Sequence, residues 1–192
     1  MTTVLAYRSL MKQGKLIRIL ECVTVALVLA GCTGGAAVLA VPDGTNAVCA
    51  GVLPGKAEPY WFGIPVSNPG QSPITLKDVR LGEHDHIMMS DAFAVPAVQL
   101  DDGTMLGVGV MRAPAEESPE LWSGRQSVAG YVIAPGADVH LALGLSRDGA
   151  ETGRVHSQTI TYRVDGELYD RNATSGLKMA LTSDCQTLEE DK

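Results

Sequence analysis

The residues with the most chemistry to offer lie together in Gly82-Glu83-His84-Asp85-His86-Ile87-Met88-Met89. In an extended strand alternate side chains share a face, so His84, His86 and Met88 would point the same way. Imidazole and thioether together suit copper, and the thioether favours Cu(I). Met105 and Met111 could complete such a set only if the fold brought them close. The competing reading is a polar loop, Glu83–His86, leading into a strand whose Met88 or Met89 fills the core, an ordinary use of methionine.

The His86-x-Met88 pair resembles the H-x-M element of periplasmic copper chaperones, which are also β-sandwiches. The upstream His and Met ligands of that family have no counterpart at matching positions. A second group is the loop Arg112–Arg125, with Pro114, Pro119, three glutamates (Glu116, Glu117, Glu120) and Trp122. An exposed Trp122 would make a binding anchor. A Trp122 that caps the core would leave only solvated glutamates. Tyr60-Trp61-Phe62 reads as packing, because Trp61 points away from its neighbours in a strand.

Catalytic signatures are missing. There is no G-x-S-x-G, H-E-x-x-H or C-x-x-C. Gly51-Val52-Leu53-Pro54-Gly55-Lys56-Ala57 is one residue short of a P-loop and has Ala57 where a Mg-binding hydroxyl belongs. Ser, His and Asp are present, but no spacing singles out a triad. Asn172-Ala173-Thr174 is a glycosylation sequon, meaningful only in a eukaryotic secretory route. The expectation is a non-catalytic protein.

These residues need elements to hold them, and the pattern is β. Gly (21) and Pro (10) are plentiful in a chain of 192 residues, which favours many turns. A first strand is expected near Ala47–Leu53, after the turn Pro42-Asp43-Gly44. Phe62, Ile64 and Val66 alternate within Tyr60–Ser67, and Asn68–Pro73 is a turn. Ile74 and Leu76 lie on one phase and Val79 and Leu81 on the other, so a β-bulge is expected near Lys77-Asp78. His86–Ser90 and Ala92–Leu100, broken by Pro96, are further short strands, as are Met105–Met111 and Ser127–Ile133. Val139, Leu141, Leu143 and Leu145 alternate without a break. Ile160, Tyr162 and Val164 alternate up to the hairpin signal Asp165-Gly166, with Glu167–Asp170 starting the return. Gly176–Leu181 precedes Cys185. No segment after the leader carries a 3.6-residue apolar stripe.

The N-terminal part is unlike the rest. Residues 1–31 hold four of the 15 Lys+Arg (Arg8, Lys12, Lys15, Arg18) and one of the 22 Asp+Glu. The remaining 161 residues therefore carry 11 positive and 21 negative charges, a net of -10 against -7 for the whole chain. That acidity excludes nucleic acid as a partner. A basic segment, an apolar run (Val23–Ala30) and small residues at its end mark an export signal, starting at Met1 or at Met11. Leu29-Ala30-Gly31-Cys32 resembles the lipobox of bacterial lipoproteins. The resemblance implies diacylglycerol on the Cys32 thiol and cleavage just before it. The protein would then be held on the extracytoplasmic face of the cell membrane by its acyl chains. The alternative anchor is an uncut transmembrane helix over the 20 uncharged residues 22–41.

Of the four cysteines, Cys22 falls inside the signal and Cys32 is the lipid site, which leaves Cys49 and Cys185 as an even pair in the exported part. An oxidising compartment would let them join as a structural staple. A redox or metal pair is the alternative, without C-x-x-C spacing to support it. The alternation from Val66 to Leu81 and the late Tyr162–Tyr169 hairpin resemble exported immunoglobulin-like domains of bacterial lipoproteins.

The fold class expected is an all-β, immunoglobulin-like antiparallel sandwich of seven to nine strands, with a barrel second. The organisation expected is a signal peptide (1–31), a lipidated tether running into a first strand (32–57), the sandwich (58–186) and an acidic tail (187–192). Function is expected to be binding or structural, through an envelope protein partner. Copper handling by His84, His86 and Met88 is the alternative.

Overall fold

The computed structural model describes residues 38–52, 59–149 and 151–186. The first strands are β1 (Ala47–Gly51), β2 (Tyr60–Ser67), β3 (Ile74–Leu81), β4 (His84–Asp85) and β5 (Ile87–Pro96). A ribbon of β6 (Val98–Gln99) and β7 (Met105–Leu106) follows, then β8 (Val110–Met111) and two short helices, α1 (Pro114–Glu117) and α2 (Pro119–Ser123). The remainder is β9 (Gln126–Ser127), β10 (Val132–Ile133), β11 (Asp138–Arg147), β12 (Gly153–Val155), β13 (Gln158–Val164), β14 (Arg171–Ser175) and β15 (Lys178–Thr182).

One layer is the five-stranded sheet β8-β2-β11-β5-β9. The other is built from the sheets β10-β3-β13-β14 and β1-β15-β12-β4. These two run on into each other, because the chain passes from β3 to β4, from β12 to β13 and from β14 to β15. Gly82 N donates to Ser157 O at 2.9 Å and His156 N to Glu83 O at 2.8 Å across the join. The result is an all-β sandwich. Its strand segments outnumber the expected seven to nine because β4, β6, β7, β8, β9 and β10 are two-residue pairings beside the longer strands. All strand pairs are antiparallel except β1 with β15, which is parallel.

The alternation read from sequence faces the core. Phe62, Ile64 and Val66 on β2, Val139, Leu141, Leu143 and Leu145 on β11, and Ile160 and Tyr162 on β13 are all buried. The bulge falls where the phase switch places it. Thr161 pairs with Asp78 and Tyr162 with Leu76, so Lys77 is the extra residue. It lets Leu76 and Val79 both point inward. A second bulge at Ser90 lets β5 run unbroken through the gap expected at Asp91. Asn68 anchors the turn beyond β2 from a fully buried position. Its Nδ2 donates to Ser72 O at 2.9 Å and Ile133 O at 3.0 Å, and its Oδ1 accepts from Gly70 N at 3.0 Å.

Three expectations are corrected. Ser127–Ile133 is not one strand: β9 pairs with β5 in one layer and β10 with β3 in the other, so the segment crosses between layers. Met105–Met111 is divided by Gly107-Val108-Gly109 into β7 and β8. The loop Arg112–Arg125 carries α1 and α2, each with proline in its first turn, where a missing N–H costs nothing.

The fold also begins earlier than expected. Leu39 is 2% exposed and packs in the core. Its N–H donates to Tyr162 OH at 3.4 Å, and Ala40 exchanges backbone bonds with Ser67 at 2.9 and 3.1 Å. The last residues of the alternative span 22–41 thus belong to the β-domain. Within 32–57, β1 (Ala47–Gly51) falls where the first strand is expected, while Leu39 and Ala40, expected in the tether, already belong to the domain. Residues 1–37, with Cys32, the leader and the rest of that span, lie outside the described residues, as does the acidic tail 187–192. Among the described residues no helix is long and apolar enough to cross a membrane.

Candidate functional site

The His84–Met88 segment is not a regular strand. His86 takes φ 52°, the left-handed region, between β4 and β5. That turn breaks the alternation on which a shared face depends. His84 Nδ1 donates back to Gly82 O at 2.7 Å. His86 Nδ1 lies 3.2 Å from Asp148 Oδ1, while His156 Nε2 lies 3.5 Å from Asp85 Oδ2. Met88 is exposed on β5, opposite Ser146. Met111 sits on β8, across β2 and β11 from β5, which is three strand spacings or about 14 Å. Met105 is on the separate β6–β7 ribbon, beyond the other end of β5. The period-two argument for a copper face therefore does not hold at His86. Among the described residues no group of three or more His, Cys, Asp or Glu is placed to hold a metal.

Trp122 is 8% exposed. It lies on α2 and covers the outer face of the five-stranded sheet, in a second apolar cluster with Val95, Val108, Leu121 and Ala142. Its ring meets Trp61 edge-on at 4.7 Å and Phe93 at 5.7 Å. The Arg125 guanidinium sits 5.0 Å over Trp122 and 5.5 Å over Phe93. As placed, the ring is a cap on the sheet, with little surface left for a partner. Trp61 points away from Phe62, as the strand period requires: it joins this second cluster while Phe62 joins the main core.

The segment Gly107–Val110 is clamped on the same sheet. A Cβ on Gly63 would stand 1.9 Å from Val108 O, so β2 must carry glycine there. A Cβ on Gly107 would stand 2.0 Å from the His140 ring. His140 Nδ1 donates to Val108 O at 3.1 Å. Burial pushes the His140 pKa down, against the Val108 bond and the charge of Asp138.

Cys49 and Cys185 form a disulfide, with Cα atoms 5.9 Å apart. The cross-link joins β1 to the segment after β15, the strand that runs parallel to it. It closes a sequence separation of 136 residues.

Sequence reasoning missed one surface feature. Glu167–Asp170 was expected to start a strand, but pairing resumes only at Arg171, opposite Tyr162. The extra residues put Leu168 (96% exposed) and Tyr169 (60% exposed) at the hairpin tip. Arg163 Nε donates to Asp170 Oδ1 at 2.8 Å and Arg171 pairs with Glu167, so the charges of the tip bind one another. An apolar pair directly after a hairpin turn was the signal available.

No family model and no curated protein matches the chain. Among solved structures it is similar to the Vibrio cholerae VesB protease, with TM-score 0.36 and 7% identity over 75% of this chain and 31% of that one. The chain thus spans less than a third of that protein's length, and a likeness this distant carries no activity across.

Proposed function

We propose that the chain is an extracytoplasmic lipoprotein, anchored through acyl chains on Cys32, whose β-sandwich is a non-catalytic binding or structural module of the cell envelope. The observation that carries this reading is Leu29-Ala30-Gly31-Cys32 after a basic segment and a short apolar run. The fold supports it from the other side. The domain is already in its core at Leu39, seven residues after Cys32, so little chain separates the lipid site from the sandwich. A disulfide across the sandwich suits the oxidising side of a membrane. An uncut span reaching residue 41 is disfavoured by Leu39 and Ala40, and 22–37 alone would extend about 24 Å as a helix against a hydrocarbon core of about 30 Å.

The test is fractionation of bacterial cells producing the wild type or Cys32→Ala, with detergent phase partition. The wild type is expected in the membrane and in the detergent phase. The variant is expected as a larger, uncleaved species. Equal size and equal partition of the two would overturn the lipid anchor.

A further inference from the structure

We propose that the end of the sandwich where the chain enters docks on the neutral bilayer interface, with the Leu168-Tyr169 hairpin tip inserted among the lipid headgroups. This rests on the lipid-anchor reading. The elements place several features at one end. Leu39 and Ala40 bind Tyr162 and Ser67, the last residue of β2. The same end holds the start of β3 at Ile74, which pairs with the β13 terminus Val164 and with Ile133 of β10. Asp165 N donates to Pro73 O at 2.9 Å, which fixes the base of the β13–β14 hairpin there.

Exposed apolar side chains gather at that end. Val38 (55%), Val132 (54%), Leu168 and Tyr169 lie on its elements. The β6–β7 ribbon leaves the sheet after Pro96, which pairs with Val139 at this end, and it exposes Leu100 and Met105. Met88, also exposed, lies toward the other end, on the part of β5 beside Ser146. The adjacent pair Leu168-Tyr169 is the most exposed apolar part of this end.

Covalent reach names the occupant of this end. Six peptide links join Cys32 to Val38, so their Cα atoms lie within about 20–22 Å. From Tyr60 to Ser67 the strand β2 makes seven rises, about 24 Å. A lipid on Cys32 therefore favours this end over the other at the membrane surface. Tyrosine with an apolar neighbour suits that interface. Tethering makes even weak insertion effective, because the local concentration is high. Asp165, Glu167 and Asp170 outnumber Arg163 and Arg171 around the tip, and the unbalanced negative charge favours zwitterionic over anionic lipid.

The experiment is hydrogen–deuterium exchange on the full protein, purified from membranes and reconstituted in phosphatidylcholine vesicles. The reference is the same sample in detergent, and the mass of the Cys32 peptide is read in parallel. The expected result is lipid on Cys32 and exchange about tenfold slower at 167–170 on vesicles, with the slowing lost in Leu168→Ser/Tyr169→Ser. Vesicles with added phosphatidylglycerol are expected to protect the tip less. Lipidated Cys32 with unchanged exchange at the tip overturns docking and leaves the anchor standing. An unmodified Cys32 overturns both. Protection that persists in detergent and rises with protein concentration assigns the tip to a second copy and overturns the bilayer contact.

Discussion

Replacing Trp122 with Ala tests whether this ring is a packed cap. Truncating a buried tryptophan costs about 3–5 kcal/mol. The edge-on contact with Trp61 at 4.7 Å and the Arg125 stack at 5.0 Å place Trp122→Ala in the middle of that range or above, at about 4 kcal/mol. For a domain of this size each kcal/mol lowers Tm by roughly 2–4 °C, so the fall expected is roughly 8–16 °C. Trp122→Phe keeps most of the apolar area and should lose less than half as much. The assay is thermal unfolding of the detergent-solubilised protein, followed by far-ultraviolet circular dichroism. A fall below about 3 °C for Trp122→Ala, which is about 1 kcal/mol, would refute the packing argument and reopen Trp122 as a binding residue.

The remaining predictions concern the clamp and the staple. Cys49→Ser/Cys185→Ser should cost about 5 kcal/mol in the chain-entropy model for a separation of 136 residues, read as a fall in urea midpoint; an unchanged midpoint contradicts a stabilising bond. Gly63→Ala drives a methyl into Val108 O and should cost about 3 kcal/mol or more, whereas Gly109→Ala, which meets open space, should cost less than about 1; equal losses would refute the close approach. His140 has a folded pKa below its ordinary 6.5, so below that pH the unfolded chain binds more protons and stability falls as pH drops. His140→Gln should flatten this part of the acid slope between pH 7.5 and 5.5, and an unchanged slope in urea titrations would count against burial of the neutral ring.

The fold was legible where burial imposes a period of two. The bounds of β2 and β3 and the bulge at Lys77 follow from the alternation of Phe62 to Val66 and the phase change between Leu76 and Val79. The Cys49–Cys185 pairing followed once Cys22 in the leader and Cys32 in the lipobox were set aside. The crossing of Ser127–Ile133 between layers was hidden, because a continuous run of strand-like residues does not say which sheet each end joins. The cap of Trp122 on Trp61 and Phe93 was hidden too, since it joins residues distant in sequence. At the site, the period-two pattern is interrupted at His86, where a left-handed residue stands between β4 and β5. At Leu168-Tyr169 the turn signal was correct, but two extra residues in the return shifted the register and left both side chains outside.

The state of Cys32 decides whether the domain is lipid-anchored. Intact-protein mass spectrometry of the chain extracted from bacterial membranes reads that state, with Cys32→Ala alongside. The expected result is a chain beginning at Cys32 and carrying diacylglycerol, with the variant keeping its leader. A membrane-bound wild type that retains residues 12–31, or that begins at Cys32 without lipid, would contradict it.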